Sequence, residues 1–565
     1  MITPKEKHPS SIVRIIPLGG LEEIGRNMTL IEYNNEVIII DAGLQFPDEN
    51  TPGIDFIIPN ISYLTNHPEK KVLALFITHA HYDHIGAIPY LIAQLNYPPI
   101  YATPLAKAII LKRQEDFPYL KKLTINTFNI DKNETIFKGA FKIQPFHLNH
   151  NIPETAGFAI TTPQGLIMYA TDYKFDFQPI ADKPANLNQI ARLAGKDTEL
   201  LMSDSTNVEM PGHSISESAI MENLDKIFAQ AEGRIILATF SSLISRLQQA
   251  ITLSEKYNRK VVVEGFSMKT NLNIAHKLGY LKTQKGTIIN WKEAERINPK
   301  NLTVLCTGAQ GESEATLMKI VNREHRYLTI KKNDSVIFSS SIVPGNELAV
   351  QSLIDSLNKQ GANVYHYKIL DIHSSGHAYQ EDLKMMINLV KPRFFMPIHG
   401  HFSKLKEHCR LAESVGVPSA NIVLATNGQI VEMAQNNVTV TQKFVPANYI
   451  MVDGLGVGDV QEIVLRDRQT LAQDGIFIII ATIDKKTGLL YQEPEVISRG
   501  FVYMKESQEL IGETKKKIRE IIQRLAKDGE TADSYTRNIL REEIGASLLK
   551  KTQRRPMVLP IIIKV

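Results

Sequence analysis

His79-Ala80-His81-Tyr82-Asp83-His84 places three imidazoles and a carboxylate within six residues. With 16 histidines in 565 residues the average is roughly one in 35, so chance clustering is a poor explanation. In an extended stretch residues i and i+2 point the same way. His79 and His81 can therefore bind one metal ion while the following turn presents Asp83 and His84 to a second. Neutral imidazole and carboxylate oxygen suit zinc and, less tightly, manganese, and donors without thiolate argue for a catalytic ion rather than a closed structural one. The two cysteines, Cys306 and Cys409, lack CxxC spacing and are too few for a disulfide scaffold.

Ligands of this kind need stiff supports. Lys71–Thr78 (KVLALFIT) reads as a buried strand feeding straight into the motif, and Ile85–Leu95 (IGAIPYLIAQL) as the helix after it. Upstream, Ile12–Pro17 and Met28–Asp41 are apolar runs, the second broken by Asn34-Asn35, a pair suited to a hairpin turn. Strand-like runs follow at Phe141–His147, Gly157–Thr162 and Gly165–Tyr169, the last leading into Ala170-Thr171-Asp172. Strands that end in ligand-type residues are thus a recurring theme.

Between about Ser216 and Ile369 helix and strand alternate, which implies an α/β module with a parallel sheet. Glu381–His399 returns to helix and then strand in the manner of the first part, so the middle module reads as inserted. Past Asn436 the stretch VTVTQKFVPANYIMVDGLGVGDV reads as a linker with β-character. A last unit has strands at Gly475–Asp484 and Glu495–Met504, helices at Glu506–Lys527 and Ala532–Lys550, and a final strand Met557–Val565. At about 100 residues it suffices for one small α+β domain.

The composition, 43% hydrophobic and 22% charged, is that of a globular protein and excludes disordered and collagen-like classes. A net charge of +4 permits a polyanionic partner without requiring one. No apolar run approaches the length of about 18 residues that a membrane-spanning helix needs, and MITPKEKHPS has no apolar signal region, so a cytoplasmic location away from membranes is expected.

HxHxDH after a strand is the signature of the metallo-β-lactamase fold, and the chain as a whole resembles the ribonuclease J family of the β-CASP branch. The supporting stretches run in order along nearly the whole sequence: PLGGLEEIGRN (17–27), HAHYDHIGAIPYL (79–91), LNHNIPET (148–155), ATDYKFD (170–176), SDSTN (203–207), CTGAQGE (306–312), SSGHA (374–378), PIHG (397–400), ISRGFV (497–502) and RRPMVLP (554–560). Where the family shows HGHEDH this chain has Ala80 and Tyr82, which alters no ligand. The resemblance implies an α/β chain: a metallo-β-lactamase αββα sandwich (11–217 and 370–437), an inserted β-CASP α/β domain (218–369), a linker (438–460) and a small α+β C-terminal domain (461–565).

The same resemblance implies the site. One zinc would be held by His79, His81 and His150, the other by Asp83, His84 and His399, with Asp172 bridging both. On the residues alone His147 competes with His150, Asp176 with Asp172 and His401 with His399. His373-Ser374-Ser375-Gly376-His377 matches an HxSGH element that contacts the scissile phosphate in the family; Gly376 exposes backbone N–H groups, and serine and histidine donate to phosphate. His377 is the candidate for protonating the leaving 3′-oxygen, with plain phosphate binding as its alternative, and Asp83 is counted with it as catalytic. Ser241 and Ser242 resemble the segment that holds a terminal phosphate, the alternative being a helix N-cap.

The function implied is a two-zinc ribonuclease, with manganese or magnesium as substitute ions. It would act on single-stranded RNA as a 5′-to-3′ exonuclease favouring 5′-monophosphate ends and as an endonuclease, in rRNA maturation and mRNA decay. The family also implies a homodimer or homotetramer to which the C-terminal domain contributes, and an RNA helicase or other degradosome-like component as partner. Two other readings share some features: a small-molecule hydrolase on the metallo-β-lactamase fold, which needs neither the insertion nor HSSGH, and a catalytically inactive RNA-binding scaffold, which predicts a replaced metal ligand.

Overall fold

The computed structural model describes residues 12–47, 51–195, 197–312, 314–343, 345–366, 370–454, 456–458, 462–502, 507–529 and 532–565. The chain divides into two compact units, one comprising the residues up to Gln45 with Ile58–Tyr449, the other Phe46–Ile57 with Ile450–Val565. The expected boundaries at 11, 369, 460 and 461, the strand end at Met504 and the helix start at Glu506 lie outside the described residues.

The first unit is built on two sheets. One, of eight strands, includes Val13–Gly19, Met28–Tyr33, Glu36–Ile40 and Lys71–Phe76; the other, of six, includes Phe141–His147, Ala156–Thr162, Gly165–Ala170, Thr198–Asp204 and Phe394–Ile398. Their inner faces meet in one apolar core, in which Ile15, Ile38 and Phe76 from the first sheet pack with Phe158, Ile160, Tyr169, Met202 and Met396 from the second. The outer face of the second sheet, through Met168, Leu201 and Phe395, buries Ile190, Met386 and Ala412 of three helices. The hairpin at Asn34-Asn35 forms, with Tyr33 paired to Glu36 and Asn34 at φ 55°. The single helix expected at Ile85–Leu95 is instead two short ones, Tyr82–Ile85 and Ile88–Leu91.

Strand direction places the site. Gly165–Ala170, Thr198–Asp204 and Phe394–Ile398 are parallel neighbours, with Ala170 beside Ser203 and Ser203 beside Pro397. Asp172, Asp204 and His399 therefore emerge at one edge. Glu36–Ile40 and Lys71–Phe76 are likewise parallel, Ile40 beside Phe76, and deliver Asp41 and His79. Carboxyl ends of parallel strands are where such sheets leave room for ligands.

The chain between Thr198–Asp204 and Phe394–Ile398 contains a separate five-stranded, all-parallel sheet in the order Lys260–Val263, Leu302–Cys306, Ile235–Ala238, Ser335–Phe338, Asn363–Tyr365. Helices cover both its faces. One core gathers Leu224, Leu247 and Met268 from Glu217–Gln230, Ile244–Lys256 and Phe266–Lys277, and the other gathers Leu317 and Leu353 from Thr316–Val321 and Glu347–Lys359. This is the covering that an all-parallel sheet requires.

Residues 438–460, expected as a linker, begin differently. Asn437–Phe444 pairs with Gln429–Ala434 at the edge of the eight-stranded sheet, because Val438 is buried in the sandwich core and Val440 packs against it. In the second unit Ile476–Ile483 is the central strand, antiparallel to Glu495–Arg499 and parallel to Met557–Lys564. Phe477, Ile479, Ala481 and Val558 pack on Ile518, Ile521, Leu540 and Ile544 of the helices Gln508–Lys527 and Asp533–Thr552. A helix at Glu462–Asp474 has no counterpart in the sequence reading, since EIVLRDRQTLAQD carries too few apolar residues to show a period. Among the described residues no helix is long and apolar enough to cross a membrane.

Candidate metal centre

His79 and His81 lie in the extended stretch after Lys71–Phe76; His81, at φ −72° and ψ 148°, caps the helix Tyr82–Ile85, whose first turn carries Asp83 and His84. Gly43 lets this turn come close, because a Cβ there would meet the Asp83 carbonyl at 1.6 Å. His150 comes from the loop after Phe141–His147, Asp172 from the loop after Gly165–Ala170, and His399 from the end of Phe394–Ile398. His399 and Asp41 both adopt the left-handed backbone region, at φ 54° and 62°, a strained conformation for such residues that the surrounding packing must hold.

Three overlapping groups of donor atoms result, each within 4.8 Å: His79, His81, His150 and Asp172; Asp83, His84, Asp172 and His399; and Asp172, Asp204, His377 and His399. Asp172 belongs to all three, and the first two hold the residues expected as ligands. In the first group Nε2 of His79 and Nε2 of His150 each lie 3.1 Å from Nδ1 of His81 and 3.7 Å from Oδ2 of Asp172. In the second, Nε2 of His84 lies 3.4 Å from Asp83 and 3.3 Å from Asp172, and Nε2 of His399 lies 3.5 Å from each. Donors bound at about 2.0–2.1 Å around a tetrahedral ion stand about 3.3 Å apart, so both groups fit zinc. Nε2 of His399 is buried without a hydrogen-bond partner, which is what a ligand nitrogen held for a cation requires.

The outer ring nitrogens fix the tautomers. Nδ1 of His84 donates to Asp41 at 2.8 Å, and Asp41 in turn accepts from the backbone N–H and hydroxyl of Thr78, both at 2.8 Å. Nδ1 of His150 donates to the Gly376 carbonyl at 2.7 Å, and Nδ1 of His399 meets the Thr206 hydroxyl at 2.8 Å. Each bond leaves Nε2 facing the cluster, the arrangement expected behind metal-ligating histidines. Burial keeps His79 and His150 well below the ordinary imidazole pKa and His81 at about 4, so these rings are neutral, as metal binding by imidazole requires. Burial also opposes charge on His84 and His399, but the carboxylates prevail: Asp172, then Asp83 and Asp41, raise His84 well above its usual value, and Asp172 and its neighbours lift His399 to about 10. The carboxylates of the second group thus favour positive charge beside them, as they would a bound divalent cation.

His377 borders this cluster, its ring centroid 5.0 Å from that of His150 and 5.7 Å from that of His399. Its Nδ1 donates to Asp204 at 2.8 Å, and this carboxylate raises its pKa against the effect of burial. Ser375 is half-buried, and its hydroxyl accepts from Asn207 at 2.6 Å. Ser374, expected to contact substrate, is 1% exposed, and its hydroxyl bonds to Lys174 and the Ile215 carbonyl. His373 is half-buried with Nδ1 unpartnered, and Ser241 and Ser242 lie half-buried beyond the end of Ile235–Ala238.

The competing residues are placed elsewhere. His147 pairs with Asp182 at 3.2 Å, His401 is exposed, and Asp176 caps the helix Glu217–Gln230 by accepting from the Glu217 N–H at 2.9 Å. Sequence reasoning missed Asp41, Asp204 and Thr206. Asp41 had a signal, since VIIID (37–41) ends an apolar strand in a carboxylate just as YATD (169–172) does.

Four family descriptions match the sequence: the metallo-beta-lactamase superfamily over residues 21–162, the ribonuclease J beta-CASP domain over 232–357, the Zn-dependent metallo-hydrolase RNA specificity domain over 365–422 and the ribonuclease J C-terminal domain over 463–565. Ribonuclease J 1 of Streptococcus pyogenes is 40% identical over 98% of this chain and 97% of its own. Ribonuclease J2 of Bacillus subtilis is 35% identical over 99% of this chain and 100% of its own. A solved structure of an Enterococcus faecalis protein of unknown function shares the fold, with a TM-score of 0.53 at 17% identity over 74% of this chain and 100% of that one. Full-length relatives at this identity, together with the four matched domains and a metal centre of histidines and aspartates, establish that the chain belongs to the ribonuclease J family and is a metal-dependent ribonuclease.

Proposed function

We propose that this ribonuclease uses two zinc ions to hydrolyse single-stranded RNA, both stepwise from a 5′-monophosphate end and internally, in RNA maturation and decay. The observation that carries the reading is Asp172, shared by two four-residue donor groups. His79, His81 and His150 would hold one ion with it, and Asp83, His84 and His399 the other. When bound, such a pair of ions makes water acidic enough to attack near neutral pH and offsets the charge that develops on the phosphoryl oxygens.

The residues of the chain do the rest. A water oxygen bonds to phosphorus, the bond from phosphorus to O3′ breaks, and His377 gives the leaving O3′ its proton from Nε2. The proton lost by the water returns to the imidazole through solvent, and the products are a 3′-hydroxyl and a 5′-phosphate. Asp204 suits His377 to this task, because its bond to Nδ1 turns Nε2 outward and favours the protonated ring. His373, Ser375, Ser241 and Ser242 would hold the flanking phosphates. The exposed apolar residues on the C-terminal sheet support assembly into a dimer or tetramer.

The test uses one RNA in 5′-monophosphate and 5′-triphosphate forms with zinc-loaded protein of measured metal content. Two zinc ions per chain and mononucleotide release from the monophosphate form alone support the reading. One ion per chain, or equal release from both ends, overturns it.

A further inference from the structure

Behind the HSSGH loop lies a group of charges that the chemistry above does not use. Lys174 is 1% exposed, yet all three of its ammonium protons have acceptors: the Ser374 hydroxyl at 2.9 Å, the Ile215 carbonyl at 3.3 Å and Glu217 at 3.5 Å. Arg246, wholly buried, pairs with the other oxygen of Glu217 at 2.9 Å, with Gln249 at 2.5 Å and with the Ile372 carbonyl at 2.5 Å; the Ser339 hydroxyl bonds to that same carbonyl at 2.6 Å. The two cations come from different parts of the unit, Lys174 from the loop beyond Asp172 and Arg246 from the second helix of the inserted module. Glu217, at the start of that module's first helix, joins them; Arg246 and then Lys174 overcome the effect of burial and hold its carboxyl at about 2.

Buried ion pairs add little stability over an apolar packing of the same shape, whereas breaking one leaves an uncompensated charge, so their usefulness lies in enforcing one arrangement. Here the arrangement enforced is that of the loop. Ile372 is gripped by Arg246 and Ser339, Ser374 by Lys174 and Ser375 by Asn207, and the next two residues are Gly376, whose carbonyl orients His150, and His377. The backbone of Lys174 also donates to the carbonyl of Asn149 at 2.8 Å, beside His150. One residue thus touches both the loop that carries a proposed metal ligand and the loop that carries the proposed proton donor.

We propose that Lys174, braced by Arg246 through Glu217, is a positioning residue that holds Ser374 and thereby keeps His377 aligned with the metal ligands. The proposal rests on the reading of His377 as proton donor. It involves no contact between Lys174 and RNA.

The test compares zinc-loaded wild type, Lys174→Met, His377→Ala and the double variant on a 5′-monophosphate RNA and on bis(p-nitrophenyl) phosphate, whose p-nitrophenolate departs without a proton. Lys174→Met should lower kcat on RNA about 10- to 100-fold with KM little changed, the range typical of residues that orient an active group through hydrogen bonds. It should leave zinc content intact and spare most of the activity on the activated ester. The double variant should cleave RNA no more slowly than His377→Ala, since both changes remove one function. Equal losses on the two substrates, additive losses in the double variant, or unchanged kcat on RNA would overturn the proposal. His377→Ala that loses both substrates alike overturns the proton-donor reading and this inference with it, a result distinct from failure of Lys174→Met alone. If Lys174→Met does not fold, Ser374→Ala removes the other end of the same bond and is held to the same outcomes.

Discussion

Nδ1 of His150 lies 2.7 Å from the carbonyl oxygen of Gly376, although the two residues are 226 positions apart. The bond joins the loop after Phe141–His147 to the segment through which the chain returns from the inserted module. A proposed metal ligand of the sandwich is therefore aimed by the HSSGH element, and the two parts of the site are mechanically one.

Gly376 leaves the room that the His150 ring occupies. A Cβ there would stand 2.5 Å from Cε1 and Nδ1 of His150 and 2.7 Å from the Asn151 side chain. Gly376→Ala should displace the His150 ring and weaken zinc binding about 10- to 100-fold, as disturbing an outer hydrogen bond of a ligand histidine typically does. Competition with a zinc-sensitive dye measures this directly, and unchanged affinity would show that His150 is not a ligand.

Asp172→Asn keeps the side-chain volume but gives up the shared charge. Because Asp172 belongs to both groups of expected ligands, zinc content should fall at both positions and RNA cleavage should fall to background. The circular dichroism spectrum should stay close to that of wild type, since the residue closes a strand-end loop outside the apolar core. A variant with full zinc content and near-normal turnover would refute the shared ligand.

Asp204→Asn tests the orientation of His377. The amide can donate to Nδ1, which stabilises the tautomer protonated at Nε2 but removes the charge that favours the imidazolium ring. The expected loss in kcat on RNA is about 10²- to 10⁴-fold, the span of general acid–base catalysis, with KM little changed. A loss confined to KM would make His377 a phosphate-binding residue.

How much of this was legible in the sequence depended on whether the signal was local. His79, His81, Asp83 and His84 announce themselves because one strand and one turn carry all four. His150, Asp172 and His399 sit alone at three separate strand ends, each with a nearby competitor of the same chemistry, and only the family resemblance selected them. The geometry that distinguishes them arises from strand pairing: the parallel register of Ala170, Ser203 and Pro397 brings Asp172, Asp204 and His399 to one edge. Asp41 and Lys174 were not singled out because their partners, His84 and Ser374, are 43 and 200 positions away. The inward turn of Ser374 was not legible for a related reason: alternation along HSSGH does not say which hydroxyl turns inward, and the buried ammonium of Lys174 accounts for it.

His408 gives a pH test of stability. It is fully buried, meets the Ser205 hydroxyl at 3.0 Å and packs edge-on against Phe395; burial pushes its pKa down to about 3. Unfolded, an imidazole titrates near about 6.5, so between that pH and about 3 the unfolded chain carries a proton that the folded one refuses. Stability therefore falls as the pH is lowered through this window, by about 1.4 kcal/mol per unit once well below 6.5. His408→Asn removes this contribution. It should be less stable than wild type at pH 7, with the gap narrowing by on the order of 2 kcal/mol by pH 5 in paired denaturation curves. A gap independent of pH would mean that His408 takes up its proton in the folded protein as readily as in the unfolded chain.

The final strand carries the last prediction. Met557–Lys564 is an edge strand whose inward residue Val558 is buried against the helices, while Leu559, Ile561 and Ile563 are 40%, 40% and 46% exposed on the opposite face. Ile478 stands between Leu559 and Ile497, and Ile480 beside Ile561, so these side chains form one continuous apolar surface. Among the described residues the helices Gln508–Lys527 and Asp533–Thr552 lie on the other face and do not cover these side chains, while the third helix of the unit, Glu462–Asp474, meets the final strand. An open apolar sheet face beside an unpaired edge invites association, and a second copy of the same chain offers a self-complementary partner. Leu559→Asp combined with Ile561→Asp should shift the protein to a monomer in light scattering while leaving its zinc content unchanged, because neither residue belongs to a donor group. An unchanged oligomer would place self-association on another surface, and a monomeric wild type would remove the proposal of assembly altogether.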